Sequence, residues 1–195
     1  MGVVGLPFDQ ILYYQLVQRN IDYLATFDGD GDGTLTLADL DAAPPEIRGQ
    51  LVAGDAIIPA IDADGDGAIH LEREVRPFLT QASGFDDYPD LAIPDLPDLI
   101  RSVEANGTVT ERLPAFDGPV LLMNGRNDFQ TTAENAEVAD AALADAGHPD
   151  HTLLLYDGLG HTFNPTGLYE GAFGPPERRV LDDLTAWLRD RAGLD

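Results

Sequence analysis

The chain has 195 residues, enough for one ordinary domain or two small ones, and an apolar content of 44% supports a hydrophobic core. Its net charge is −24, from 26 aspartates and 9 glutamates against 11 arginines and no lysine. Such a surface repels nucleic acid and anionic membranes. The chain has no cysteine, which excludes disulfides, thiolate metal sites and a cysteine nucleophile.

Two further features bear on where the protein works. No apolar run approaches the ~18 residues of a membrane span, and the first residues, MGVVGLPFDQ, lack a basic region and a cleavage pattern. We therefore expect a cytoplasmic protein if Met1 is the true start, with an extracellular one left open if sequence precedes it. The Asp-rich, lysine-free composition resembles that of proteins from extreme halophiles; the acidic bias of a high-GC genome is the alternative.

Helices are predicted on both sides of two acidic loops. In the first predicted helix, apolar residues recur at helical spacing, and Asp9 is its expected cap. Further helices are expected to begin after each loop, and Pro44–Pro45 separates two of them. The predicted helices cover residues 8–26, 37–41, 46–58 and 72–80.

The two acidic loops, residues 28–39 (DGDGDGTLTLAD) and 62–73 (DADGDGAIHLER), have oxygen-bearing residues at the spacing that calcium requires. Calcium takes six to eight oxygens, and a twelve-residue loop supplies them from positions 1, 3, 5, 7, 9 and 12, with glycine at position 6. In the first loop these positions are Asp28, Asp30, Asp32, Thr34, Thr36 and Asp39. In the second loop they are Asp62, Asp64, Asp66, Ala68, His70 and Arg73. Position 7 contributes its backbone carbonyl.

Leu35 and Ile69 both occupy position 8, where we expect a short two-strand bridge to join the loops. With two matching loops between helices, residues 1–83 resemble a paired EF-hand. The resemblance implies an all-α module that binds calcium. A dockerin-like interaction module, which uses similar loops, is the alternative. It lacks the helix that enters the first loop, whereas residues 8–26 of this chain are predicted to form that helix.

The second loop departs from the EF-hand pattern. Position 12 is normally a bidentate carboxylate, but here it is Arg73. Glu72 and Glu74 flank Arg73, and a distorted loop could use the carboxylate of either one in place of the missing ligand at position 12. We expect a site that is weaker than the first or that does not fill, because affinity follows the number of charged ligands.

Residues 84–118 are rich in Asp, Pro and Leu and are interpreted as a linker or lid with one short helix near residues 96–104. The pattern then changes to strand, helix, strand, helix, over residues 119–123, 131–146, 151–156 and 175–191. A capping box of Thr131 and Glu134 is expected to start the first of these helices. The fold class is therefore mixed: an all-α module followed by a partial α/β segment, residues 119–195.

Asp128 follows the first of these strands in MNGRND, and His161 follows the second in LLLYDGLGH. Residues 115–195 thereby resemble the end of an α/β-hydrolase, closest to the acyl-peptidase and dienelactone-hydrolase-like members, in which the acid precedes the histidine. The resemblance implies that Asp128 orients His161, which acts as general base. His148 and His151 are interpreted as surface residues.

The nucleophile of that family is missing. Ser83 (QASGF) and Ser102 (IRSVE) are the only serines, and neither lies in a G-x-S-x-G elbow. The chain looks like the C-terminal half of a serine hydrolase with the EF-hand pair as a lid insert, inactive alone. Its expected partners are calcium and either the missing N-terminal half or a second copy. The alternative is a stand-alone, non-enzymatic calcium-binding or interaction protein with a vestigial hydrolase-like tail.

Overall fold

The computed structural model describes residues 5–92 and 94–194. It is a mixed structure of helices and small two-stranded sheets, as the sequence predicts at this coarse level. The chain divides into two compact units. We call residues 12–97 the loop unit, and residues 5–11 with 98–194 the strand unit. Among the residues that the structure describes, no helix is both long enough and apolar enough to cross a membrane.

The helical stretch predicted at residues 8–26 forms, but it is not a single α-helix. It contains α1 (Phe8–Tyr13), a π-helical turn (Tyr14–Gln18) and α2 (Arg19–Ala25). Val17 and Ile21 face the core of the loop unit. Periodicity predicts the helix but does not distinguish a π turn, which shifts the buried face by one residue.

The two acidic loops are joined by an antiparallel bridge of β1 (Thr34–Leu35) and β4 (Ile69–His70). Leu35 lies opposite Ile69, and Thr34 lies opposite His70. Leu35 and Ile69 are completely buried. The predicted pairing of the loops is confirmed.

The loop that precedes the second acidic stretch differs from the prediction. After α3 (Leu37–Ala42), α4 (Pro45–Leu51) ends seven residues before the predicted end at residue 58. The chain then forms a hairpin of β2 (Val52–Ala53) and β3 (Ala56–Ile57). Gly54 has φ +70°, which no helix accommodates, and the β-branched Val52 and Ile57 pair and are buried.

The second acidic loop leads into a π-helical turn, Leu71–Val75, and then α5 (Arg76–Ser83), which ends at Gly84 with φ +70°. This agrees with the helix predicted at residues 72–80, apart from the π turn. Buried apolar side chains from all these elements form one core. Its members are Val17, Ile21, Leu35, Leu40, Leu51, Val52, Ile57, Ile69, Leu71 and Val75.

Residues 84–118 contain more structure than a linker with one helix. Besides the expected helix, α6 (Leu96–Asn106), there is a short α7 (Val109–Arg112) and two 3₁₀ turns. Thr108 and Glu111 form a reciprocal capping box at the start of α7. The sequence T-V-T-E carried that signal.

The strand unit contains a parallel β–α–β–α arrangement of β5 (Val120–Gly125), α8 (Ala133–Asp145), β6 (His151–Tyr156) and α9 (Arg178–Ala192). The ladder runs from Val120–His151 to Gly125–Tyr156. Apolar residues of α8 pack on one face of this sheet, and Val180 of α9 packs against Tyr156. Thr132 is the N-cap of α8 without a side-chain hydrogen bond, so the predicted Thr131–Glu134 capping box is wrong.

We expect Leu35→Ala to lower the free energy of unfolding by about 2–5 kcal/mol, because it leaves a cavity at the bridge between the loops. Denaturant unfolding monitored by circular dichroism measures the change. Leu99→Ala is the control, since Leu99 is 51% exposed, and we expect a change of about 0.5 kcal/mol or less. Equal effects of the two substitutions would contradict the importance of the bridge.

Candidate functional site: two acidic loops and an Asp–His pair

The first acidic loop is folded around its own carboxylates. Asp28 accepts hydrogen bonds from the backbone N–H groups of Gly31 (2.8 Å) and Gly33 (2.7 Å). Asp30 and Asp32 each accept one from the residue two positions later. The carboxylate oxygens of Asp28, Asp30 and Asp32 lie within 4.8 Å of one another, so this group can hold a metal ion.

Asp39 closes the first loop from its far end. Its carboxylate accepts hydrogen bonds from the N–H of Gly29 (3.3 Å) and from the N–H and hydroxyl of Thr36 (2.9 and 2.6 Å). The Thr36 hydroxyl oxygen in turn accepts a hydrogen bond from the Asp39 N–H, and the two residues form a capping box at the start of α3. The Thr36 hydroxyl, followed by the backbone donors, holds the pKa of Asp39 below its ordinary value.

The second loop repeats the first, residue for residue, over its aspartates. Asp62 accepts from the N–H groups of Gly65 (2.8 Å) and Gly67 (3.1 Å). Asp64 accepts from the N–H of Asp66 (3.2 Å), and Asp66 accepts from that of Ala68. In both loops the two glycines have φ between +74° and +85°, where a Cβ would be strained. The sequence repeat is therefore a repeat of structure.

Glu74 closes the second loop. One of its oxygens accepts from the N–H groups of Ala63 (2.8 Å) and Asp64 (3.2 Å), and the other from that of His70 (2.9 Å). These three donors are at positions 2, 3 and 9 of the second loop. In the first loop, Asp39 accepts from the backbone N–H groups at positions 2 and 9. Of the two glutamates that flank Arg73, the structure selects Glu74.

The π turn at Leu71–Val75 explains how Glu74 reaches this place. A π-helical turn contains one residue more than an α-helical turn, so the closing carboxylate comes one residue later. Glu74 is 6% exposed. Sequence reasoning included Glu74 only as an alternative to Glu72, because the π turn has no recognisable signal in the sequence.

Glu74 is charged despite its burial. Burial by itself raises the pKa of Glu74, but the N–H groups of His70, Asp64 and Ala63 outweigh it, and the pKa lies below the ordinary value. Asp62, Asp64 and Glu74 form one group whose ligand atoms lie within 4.8 Å of one another. Asp64, Asp66 and His70 form a second such group, so the second loop can also hold a metal ion.

Arg73 and His70 bring positive or proton-bearing groups into the second loop. The Arg73 Nη2 lies 2.5 Å from Asp64 Oδ2 and 3.5 Å from Asp66 Oδ2. The His70 Nε2 lies 2.9 Å from Asp66, and the His70 Nδ1 lies 3.2 Å from the hydroxyl of Thr34 in the other loop. The His70 side chain, followed by the Ala68 N–H, holds the pKa of Asp66 below its ordinary value.

In the strand unit, Asp128 and His161 meet at the carboxyl ends of β5 and β6. The His161 Nδ1 lies 2.9 Å from Asp128 Oδ2. Asp128 is 6% exposed, and its Oδ1 accepts from the N–H groups of Gln130 (2.8 Å) and Thr131 (3.0 Å). The carboxylate is therefore held in place on both oxygens, as an orienting acid is in a catalytic triad.

Asp128 and His161 line a cavity of about 500 Å³, whose wall also includes residues of β5, α8 and α9. Its wall includes Trp187, whose buried Nε1 has no hydrogen-bond partner among the residues that the structure describes. The Ser83 hydroxyl donates to the carbonyl of Thr80, and Ser102 is exposed on α6. Ser102, the serine of the strand unit, is not among the residues that line the cavity.

His148 is not a surface residue, contrary to the prediction. It is 8% exposed, and its Nε2 lies 2.7 Å from the carbonyl of Phe116. Its Nδ1 accepts from the N–H of Asp150 (3.3 Å). This histidine connects the end of α8 to the segment before β5 and is structural.

No protein-family model matches this chain, and no solved structure matches it. The EF-hand and hydrolase resemblances therefore remain predictions, and the loops and the Asp–His pair are the features that bear on function.

We expect neutral His161 to carry its proton on Nδ1, because a carboxylate accepts hydrogen bonds and donates none. His148 is the matched control with the opposite tautomer, since its Nε2 faces a carbonyl. Two-bond ¹H–¹⁵N correlation spectra in alkaline buffer distinguish the two forms. Nε2-protonated His161, or loss of the difference between the two residues, would contradict the pairing with Asp128.

Proposed function

We propose that this protein binds calcium through its two acidic loops, as a paired EF-hand does. One observation carries the proposal: the hydrogen-bond pattern of the first loop recurs in the second, and the loops are paired at Leu35 and Ile69. An accidental acidic turn would not have a partner built in the same way 34 residues later. The repeat supports a two-site unit rather than two solvated turns.

The donor set fits a hard cation. Each loop brings four carboxylates, all of them oxygen donors, and the chain has no cysteine. The residues that would hold the ion are Asp28, Asp30, Asp32 and Asp39 in the first loop and Asp62, Asp64, Asp66 and Glu74 in the second. The backbone carbonyls of Thr34 and Ala68 would complete the two sets, with Thr36 and His70 at position 9. Four carboxylates with a backbone carbonyl in each loop favour calcium over magnesium, which retains most of its water.

For the strand unit we propose descent from the C-terminal part of a serine α/β-hydrolase. The Asp128–His161 hydrogen bond, at the ends of two adjacent parallel strands, supports the roles of orienting acid and general base. A base of this kind activates a hydroxyl nucleophile, and this chain has no serine in the required elbow. The missing nucleophile would come from an N-terminal half or a second copy.

The second candidate function is a stand-alone, non-enzymatic calcium-binding or interaction protein with a vestigial hydrolase-like tail. It is favoured by the position of Ser102, the serine of the strand unit, which does not line the cavity beside His161. Under this proposal the Asp–His pair serves only to join the loops that follow β5 and β6.

Calcium titration of the metal-stripped chain by calorimetry, in molar sodium chloride, tests the main proposal. We expect Asp28→Asn to weaken the first site by about tenfold or more, because it removes one of four charged ligands. Glu74→Gln should do the same to the second site, whereas Glu72→Gln, the matched control, should not, since Glu72 pairs with Arg76. Absence of binding at millimolar calcium in the unaltered protein would refute the proposal.

We expect the chain alone not to turn over p-nitrophenyl esters above the background of its partly exposed histidines. His161→Ala should therefore match the unaltered protein, as should the control His151→Ala. A rate that His161→Ala abolishes, and that His151→Ala leaves unchanged, would show that the pair is catalytic without an added half.

A further inference from the structure

The Arg73 side chain occupies the oxygens that a cation in the second loop would require. Its guanidinium pairs with Asp64 and Asp66, both of which belong to groups that can hold a metal ion. The Arg73 side chain is 59% exposed and those of the two aspartates are 45% exposed. The contact is therefore at the mouth of the loop, where a guanidinium can leave without disturbing the core.

The first loop has no such group. Residues 28–39 contain no arginine, lysine or histidine. The hydrogen bonds to Asp30 and Asp32 come from the backbone N–H groups of Asp32 and Thr34. The two loops thus differ by an internal cation, while the backbone hydrogen bonds to their first three aspartates are the same.

The placement of Glu74 leaves Arg73 without a structural task in closing the loop. The Glu74 carboxylate accepts hydrogen bonds from three backbone N–H groups, and these bonds hold the two ends of the loop together. It is buried, while its neighbour Arg73 extends over the mouth. The π turn therefore separates two roles: one residue closes the loop and the next residue along the turn covers its carboxylates.

We propose that Arg73 is a tethered cation that competes with the metal for Asp64 and Asp66, and so makes the second loop the weaker of the two sites. This inference rests on the proposed function, that the loops bind calcium. Entry of the metal must break both ion pairs of Arg73. The released guanidinium remains nearby, because its backbone is held next to buried Glu74, and it repels the bound cation.

In the absence of metal, the same contact reduces repulsion among the carboxylates of the second loop. Asp66 also faces His70, which the competition leaves in place. Arg73 therefore offsets part of the second loop's negative charge, whereas in the first loop backbone N–H groups donate to Asp30 and Asp32 and no cationic side chain is present. The pair would contain one site that calcium fills first and one that fills at higher calcium.

Two amides report on the loops separately. The Gly33 N–H donates to Asp28 (2.7 Å) in the first loop, and the Gly67 N–H donates to Asp62 (3.1 Å) in the second. Calcium titration of the metal-stripped full chain, followed by ¹H–¹⁵N spectra of these two glycines, gives an affinity for each loop. Molar sodium chloride reduces the Debye length to about 3 Å, which suppresses long-range charge effects.

We expect Arg73→Gln to raise the calcium affinity reported by Gly67 about tenfold, and that reported by Gly33 less than about twofold. Arg48→Gln is the matched control. It removes the same charge from the same unit, at a residue that pairs with Asp41 outside the loops, and should change neither affinity. Arg73→Lys retains the charge and should bind calcium about as weakly as the unaltered protein.

The outcomes separate this inference from the proposed function. If Gly33 responds to calcium but Arg73→Gln leaves the affinity at Gly67 unchanged, the competition is refuted and the calcium proposal stands. If Arg48→Gln raised the calcium affinity at Gly67 by the same factor as Arg73→Gln, the competition would also be refuted, because the effect would then come from net charge alone. If neither glycine responds in any variant, both the proposed function and the inference fail.

Discussion

The antiparallel bridge between Leu35 and Ile69 is the contact on which the loop unit depends. The aspartate-rich first half of each acidic loop is highly charged and mostly exposed, and it contributes no side chain to the buried core. The bridge gives each loop one completely buried side chain and sets Thr34 opposite His70. Burial of two such side chains, with their neighbours in the core, offsets the cost of holding the loops in one conformation.

The loops also show how a chain can concentrate like charges without unfolding. Their carboxylates serve as hydrogen-bond acceptors for the loops' own backbone, which would otherwise remain exposed to water in tight turns. These bonds keep the pKa values of Asp28 and Asp39 low, the former chiefly through the Gly33 N–H. Asp28 and Asp39 therefore stay charged at neutral pH.

In the strand unit the equivalent constraint is the parallel register of β5 and β6. Gly125 lies beside Tyr156, so the two strands end level, and the turns that follow bring Asp128 and His161 together. Residues 33 positions apart in sequence become hydrogen-bonded partners because each follows its own strand by a few residues. The N–H groups of Gln130 and Thr131 then hold the second oxygen of Asp128 in place.

Much of the structure could be predicted from local patterns. The β6 strand has the predicted bounds, residues 151–156. Residue type and spacing also predicted the bridge between the two acidic loops at position 8, and the placement of Asp128 and His161 after their strands. Two predictions made from local patterns were wrong. The helix predicted to residue 58 ends at Leu51, where the chain turns into the hairpin at Gly54. Thr131 and Glu134 form no capping box, because α8 begins one residue later with Thr132 as its N-cap.

The sequence by itself determined where carboxylates, turns and apolar residues lie along the chain, since these depend on residue type and spacing of a few positions. Only the tertiary structure decided that Glu74 rather than Glu72 closes the second loop, and that Arg73 covers it. That choice depends on a π turn, within which Leu71 and Val75 are buried in the core. A shift of one residue along a turn has no signature in sequence, yet it decides that Glu74 is buried where it closes the loop and that Arg73 lies exposed at the loop's mouth.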